Sequence, residues 1–205
     1  MAVEQPFDPD ELGKLLLGLG EQQRLVFGLA CSERLYPNYV VFASEEGWGE
    51  PKTLRAALDL AWDAVLGQPP SPELLRQLQK RVEAAEPDTE KFETILVSSA
   101  LDAAATAGLL LKLLEANEPD VAVEIASLSR DTVDMYIQAI EHLEPSDPAL
   151  EKKILLHRLM QAELRRQRDD LRMLGSTPWT AAEARRLKDA WRDPAVSNIG
   201  LSRSR

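Results

Sequence analysis

The sequence offers one candidate general base, Asp102, the only charged residue in the apolar stretch 95–111. Ser98 and Thr106 lie four residues before and after it, so a helix would place all three polar side chains on one face. A buried carboxylate has to be hydrogen-bonded or paired, because bare burial is costly. Two interpretations stay open: Asp102 fixes helix register by accepting hydrogen bonds, or it serves as a general base or metal ligand in a bundle cavity.

Four arginines form the second candidate site. Arg158, Arg165 and Arg172 are spaced by seven residues with Arg168 beside them, which places all four within about 80° around a helix. Guanidinium groups suit carboxylates and phosphates. Asp169 lies inside this arginine ridge, however, and no aromatic residue between 149 and 178 could stack on a base. Pairing within the chain and binding of a phosphorylated ligand or nucleic acid both remain possible interpretations.

Nucleophilic and metal chemistry have little support in the sequence. The single cysteine, Cys31, lies in an apolar helical segment, and both histidines, His142 and His157, are more than 100 residues away from it. A cysteine in such a setting is usually a small buried hydrophobe. The chain carries no Gly-x-Ser-x-Gly, phosphate-binding loop, Glu-x-x-His or His-Glu-x-x-His motif. We therefore expect no metal and no cofactor, and the sequence leans toward a non-enzyme without excluding one.

A polar-aromatic group is predicted outside regular helix. Pro37 is expected to end one helix at Tyr36, since the residue before a proline avoids helical geometry, and Asn38 would cap the next helix. A tight turn is also expected at residues 197–200. If this turn packs against the Tyr-Pro-Asn-Tyr break, the group forms either a small cleft or a hydrogen-bond hub that closes the fold; its members are Tyr36, Asn38, Tyr39, Trp48 and Asn198.

The elements that would position these residues are all helices. Apolar residues recur at helical spacing in almost every segment, and prolines mark several expected first turns, as in Asp8-Pro9 and Ser71-Pro72. The sequence predicts an all-α, single-domain bundle over 1–205, with mainly antiparallel helices around the apolar helix 90–116. The helices are expected at 8–18, 20–36, 38–46, 51–67, 72–85, 90–116, 119–143, 148–174 and 180–192.

Charge and composition narrow the compartment and the partners. The formal net charge is −10, with −15 in residues 1–146 and +5 in residues 147–205. A globally acidic chain disfavours nucleic acid as a partner, and the two parts are expected to attract each other within one fold. The acidic N-terminus does not read as a signal peptide, and 95–111 is too short and too polar to span a membrane. The prediction is a cytoplasmic protein that does not bind membranes.

Several of these stretches resemble one bacterial family of unknown function, the YjaG-like proteins. The likeness covers most of the chain in the same order, and its most specific parts are residues 34–39 and the closing turn 197–200. The pair 48–49 also matches, as do weaker helical pieces at 58–62, 100–103 and 122–124. The resemblance implies an all-helical fold and a cytoplasmic bacterial protein, and it supplies no activity, substrate or catalytic residue.

The sequence therefore predicts first a non-catalytic interaction or regulatory protein with a protein partner. A homodimer stays open, because Leu12, Leu15, Leu16 and Leu19 could form either a core edge or a dimer seam. The alternative is an enzyme or small-ligand protein that uses a cleft at the Tyr-Pro-Asn-Tyr break or at Asp102. A third is phosphate or nucleic-acid binding by the arginine ridge.

Overall fold

The computed structural model describes residues 3–6, 8–176 and 178–202, and the regular structure in these ranges is α-helical. The only extended pairing among them is an isolated antiparallel bridge between Val196 and Ser202. The predicted all-α class is confirmed. The helices of the described residues are α1 (Pro9–Leu17), α2 (Glu21–Glu46), α3 (Pro51–Val65), α4 (Pro72–Glu83), α5 (Val97–Ala116), α6 (Pro119–Ile140), α7 (Leu150–Leu156), α8 (Arg158–Ser176) and α9 (Ala181–Trp191).

Helix starts follow the capping residues of the sequence. The carboxylate of Asp8 accepts from the backbone N–H of Asp10 at 3.0 Å, and the hydroxyl of Ser71 accepts from the N–H of Leu74 at 3.2 Å. Proline occupies the first position of α1, α3, α4 and α6. Its missing N–H costs nothing there, because first-turn amides have no partner within the helix.

The main core forms where α2 packs against α5. Gly28 of α2 makes this close approach possible, since a Cβ there would meet side-chain carbons of Ile125, Leu110 and Leu113 at 3.2–3.3 Å. Ala103, Ala104 and Ala107 of α5 are buried in the same core. A smaller apolar cluster joins α6, α7 and α8 to the C-terminal turn; it consists of Val133, Ile137, Ile154, Leu159, Met160, Leu164 and Ile199.

Helix α5 is the most apolar element of the described residues. It is the one helix there that is long and apolar enough to cross a membrane, and more than half of its most apolar stretch is buried inside the fold. Contacts with α2, α3, α4 and α6 surround it. These are the surroundings of a core helix.

The predicted helix break at Pro37 is wrong. α2 runs without interruption from Glu21 to Glu46, so Asn38 lies inside a helix and caps nothing. A proline in a helix interior costs about 3 kcal/mol. Leu35, Tyr39 and Phe42 on either side are fully buried, and burial of each large apolar side chain contributes about 1.5–3 kcal/mol. The burial of the whole segment therefore outweighs the cost of the proline.

Two other predicted helices have different bounds. α5 begins at Val97 rather than at residue 90, because side chains in the preceding segment bond to local backbone: Asp88 accepts from Glu90 N at 3.0 Å and Thr94 from Leu96 N at 3.3 Å. Such bonds compete with helix formation. The predicted helix 148–174 is divided at His157, whose backbone is extended and whose Nδ1 accepts from Leu159 N at 3.3 Å.

Candidate functional site

Helix α2 carries Arg34 into the core, where it meets two carboxylates of α8. Its guanidinium donates to Glu163 at 3.2 Å and to Asp170 at 2.7 Å. The same Glu163 oxygen accepts from Ser129 Oγ at 2.8 Å and from Gln167 Nε2 at 3.0 Å. None of these residues is among the site residues predicted from the sequence, although Arg34 begins the stretch that carries the family resemblance most specifically.

The electrostatics of this group favour the charged forms of Arg34 and Glu163. Burial by itself raises the pKa of Glu163, but the Arg34 charge and the three hydrogen bonds outweigh it and hold that pKa below its ordinary value. For Asp170 burial is the larger effect, and its pKa is raised despite Arg34. Burial also works against the charged form of Arg34, yet Glu163 and Asp170 leave its pKa above the usual value. Glu163 is fully buried and the Arg34 side chain is 13% exposed, so the two form a largely buried ion pair.

A second buried carboxylate, Glu33, ties the C-terminal segment to α2 and α3. Arg55 donates to both its oxygens, at 2.7 and 2.8 Å, in a two-pronged pairing. Trp62 Nε1 donates at 2.8 Å and the backbone N–H of Asp193 at 2.9 Å. Arg192 pairs in turn with Asp59 at 2.8 Å. Every bond of Glu33 is therefore used to hold the chain together.

The structure brings Asn38 and Asn198 into direct contact. Asn38 Nδ2 donates to Asn198 Oδ1 at 3.0 Å, and Asn198 Nδ2 donates to the Ser129 carbonyl at 3.0 Å. The backbone N–H of Asn198 also donates to the carbonyl of Arg34 at 3.0 Å. The side chains of Asn38 and Asn198 are 0% and 1% exposed. Solvent does not reach this junction, so the cleft interpretation has no opening here.

The three aromatic members of the predicted group lie apart from the asparagines. Tyr36 donates to the carbonyl of Pro51 at 3.4 Å, and Tyr39 donates to the carbonyl of Ala85 at 2.6 Å. Trp48 instead packs on the rings of Phe42 and Phe92, with centroids 6.2 and 5.4 Å away. Tyr36 and Tyr39 anchor α2 to neighbouring segments, and Trp48 covers an aromatic cluster.

Asp102 is paired with a hydroxyl of α6. Its Oδ2 lies 2.7 Å from Thr132 Oγ1, which also lies 2.8 Å from the Leu128 carbonyl. Burial, opposed by the Thr132 bond and assisted by the charge of Asp131, raises the pKa of Asp102 to about 6. In its protonated form Asp102 can donate to Thr132, whose own proton then reaches Leu128.

The surroundings of Asp102 do not assemble a larger site. Ser98 lines a cavity of about 130 Å³ between α5 and α6, whereas Thr106 donates to its own helix at Ala103. The cavity is well below the 300 Å³ of ordinary ligand pockets. No group of three His, Cys, Asp or Glu side chains within the described ranges could hold a metal ion.

The arginine ridge is divided by its pairing. Arg168 pairs with Glu4 at 2.9 Å, and Arg172 pairs with Asp169 at 2.8 Å on the helix surface. Arg158 is exposed and Arg165 half-buried. Two of the four guanidiniums are therefore paired with carboxylates of this chain. The same two, Arg168 and Arg172, also line a separate groove.

This groove of about 390 Å³ lies between α1 and α8, and we call it the α1–α8 groove. Leu12 and Leu16 of α1 are buried in the core, whereas Leu15 is 45% exposed. A Cβ on Gly175 would make ordinary van der Waals contact with the Leu19 side chain, at 3.8 Å. The groove is lined by Leu15, Gly18, Leu19, Arg168, Leu171, Arg172 and Gly175.

The comparisons with known proteins agree with this all-helical fold. The family model described as "Protein of unknown function (DUF416)" matches residues 12–202. The uncharacterized protein YjaG of Escherichia coli K12 is 31% identical over 63% of this chain and 66% of that protein, about two thirds of its length. YjaG of Salmonella typhimurium is 25% identical over 88% of this chain and 90% of that protein.

A solved structure extends the likeness to three dimensions. The crystal structure of a DUF416 family protein from Shewanella baltica OS155 matches with a TM-score of 0.82 and 30% identity, over 93% of this chain and 98% of that one. The fold is thus that of an all-α bundle whose core is crossed by buried ion pairs. The chain belongs to the DUF416 family, which confirms the predicted YjaG-like resemblance.

Proposed function

We propose that this protein is a non-catalytic interaction protein that binds a protein partner in the α1–α8 groove. The observation that carries the proposal is the groove itself: a leucine-lined depression in which Leu15 is 45% exposed and two arginines contribute to the wall. Its volume of about 390 Å³ lies within the range of binding pockets. The partner we propose presents an apolar side chain next to carboxylates.

The groups that could do chemistry are engaged elsewhere. Cys31 is fully buried, and burial raises the pKa of its thiol, so the reactive thiolate is disfavoured. Glu33 and Glu163 are committed to Arg55 and Arg34 in the core. This leaves the surface, rather than an internal site, as the place where the protein meets its partner.

Charge supports the choice of partner. The chain is acidic overall, yet Arg168 and Arg172 stand together at the groove. Local positive charge on an acidic protein selects a carboxylate-bearing segment and orients its approach. We place this interaction in the bacterial cytoplasm, in line with the bacterial relatives of the chain.

To test the proposal, Leu15 is replaced by a photo-crosslinking residue, and the variant is crosslinked in bacterial cells. Leu74 of α4 is the matched control position, because it is 46% exposed against 45% for Leu15 and lies outside the groove. We expect a discrete adduct from Leu15 and none from Leu74, with the crosslink mapping to an apolar segment flanked by Asp or Glu. Equal adducts from both positions, or none from Leu15, contradict the proposal.

A further inference from the structure

The N-terminal residues 3–6, here called the strap, lie along α8 in a way that resembles a bound peptide. Gln161 Oε1 accepts from the backbone N–H of Glu4 at 2.7 Å, and Gln161 Nε2 donates to the Glu4 carbonyl at 2.9 Å. One side-chain amide thus holds both polar groups of one residue, as a neighbouring strand would. This pairing involves only the backbone of the strap, so it requires no particular side chain at that position of the bound segment.

A second contact of the strap depends on charge. The carboxylate of Glu4 pairs with Arg168 at 2.9 Å, and Arg168 also donates to the carbonyl of Gln5. Gln161 and Arg168 are seven residues apart on α8, so they lie on one face of the helix. Together they select an extended segment that carries a carboxylate at the residue paired with Gln161.

The strap lies beside two depressions of the α8 surface. Pro6 lines a cavity of about 180 Å³ that reaches Met160 and Leu164 of α8. Arg168 lines the α1–α8 groove on the other side. Because Arg168 belongs both to the strap contact and to the groove, a partner carboxylate that enters the groove competes with Glu4 for the same guanidinium.

We propose that Gln161 and Arg168 form a peptide-binding site for an extended acidic segment of the partner protein, and that the strap occupies this site until the partner replaces it. The inference rests on the proposed function, since it specifies how the partner of the α1–α8 groove is recognised. The Glu4–Arg168 pair of the strap is partly exposed, so its exchange for a similar carboxylate is energetically accessible.

The test uses a fluorescent peptide with the sequence of residues 1–8 and full-length chains. In the wild type the strap competes with the peptide, whereas Glu4→Lys repels the native strap from Arg168. We expect the peptide to bind Glu4→Lys at least tenfold more tightly than the wild type. Relative to Glu4→Lys alone, the double variants that add Gln161→Ala or Arg168→Ala should bind the peptide at least tenfold more weakly. The control adds Arg166→Ala, an exposed neighbour on α8, and should leave the peptide affinity unchanged.

Melting temperatures show whether each variant is folded, and a peptide with lysine in place of its glutamate reports charge selection. Equal peptide affinity for wild type and Glu4→Lys, or no effect of Gln161→Ala and Arg168→Ala, overturns the inference. Dimers that form only when the strap is intact would show that the site binds a second copy of this chain rather than a partner protein. That result would also overturn the inference. Because the Leu15 crosslink is read without the peptide, an adduct there together with a silent peptide rejects this inference and leaves the proposed function standing.

Discussion

The backbone N–H of Asn198 donates to the carbonyl of Arg34 at 3.0 Å, so the C-terminal turn is bonded to α2 within one turn of Pro37. Proline supplies no N–H and presses on the preceding helical turn. Asn38, directly after the proline, holds the side chain of the same Asn198. The helical turn at Pro37 and a distant polar turn are thus joined by two hydrogen bonds between residues at least 160 positions apart.

Asn38→Ala should destabilise the protein, because it leaves Asn198 Oδ1 buried without its donor. Loss of a buried hydrogen-bond partner costs about 1–3 kcal/mol, and urea unfolding measures it. Asn198→Ala and the double variant complete a cycle. We expect the double variant to lose less than the two single variants together, since the pair shares one bond. Strict additivity would show that the contact between the asparagines contributes nothing.

Glu163→Gln should destabilise the protein more than loss of an exposed ion pair does. It removes the fully buried charge that pairs with Arg34 but leaves Asp170 as a second carboxylate for that guanidinium, so we expect a cost at or below the lower end of the about 3–5 kcal/mol seen when a buried charge loses its partner. Asp169→Asn on the same helix is the control, because its pair with Arg172 is exposed and such pairs contribute about 0–1 kcal/mol. Similar losses of unfolding free energy in the two variants would contradict a structural role of Glu163.

Asp102 should make the protein less stable as the pH rises from about 4 to about 6. Its pKa of about 6 in the folded chain lies above the ordinary value of 3.8, so the folded state holds a proton that the unfolded state releases. Asp102→Asn removes this penalty, which is at most about 3 kcal/mol. The unfolding free energy of Asp102→Asn minus that of the wild type should therefore grow across this interval and level off near pH 7. A constant difference would contradict the raised pKa.

Cys31 should be inert toward thiol reagents in the folded protein. The side chain is 0% exposed, and burial raises its pKa. Reaction with a disulfide reagent should therefore follow the rate at which the fold opens, and it should be immediate in concentrated denaturant. Fast, stoichiometric reaction under native conditions would mean that the thiol is accessible and would reopen the question of nucleophilic chemistry.

The sequence predicts local features of the fold well. The caps at Asp8 and Ser71 and the prolines at the first positions of α1, α3, α4 and α6 depend on neighbours within four residues, and these predictions are confirmed. The helix start predicted at Asp147-Pro148 is wrong, because α7 begins at Leu150. The predictions at Pro37 and at His157 fail for different reasons. The burial of α2 overrides a proline, whereas α8 starts afresh at His157 without any proline or glycine to mark it.

The site is harder to foresee than the fold. Leu15 and Leu16 have the same side chain and adjacent positions, yet one is 45% exposed and the other fully buried. Only the packing of α1 against α6 distinguishes them. Arg34 and Glu163 are 129 residues apart, and helical periodicity within α2 or α8 carries no information about which helices meet. A charged pair within the apolar run of α2, Glu33 and Arg34, is the signal that sequence reasoning passed over.

The most direct test of the central claim uses the partner that is captured by crosslinking at Leu15. The purified partner is bound to an arginine variant of the α1–α8 groove, and the affinity is measured. Arg172→Glu reverses a groove charge, and Arg76→Glu is its matched control, because both arginines are exposed and each pairs at 2.8 Å with an acidic residue three positions earlier. We predict that Arg172→Glu weakens binding about tenfold or more while Arg76→Glu leaves it unchanged. Equal affinities of the two variants and the wild type would contradict recognition of an acidic partner in the α1–α8 groove.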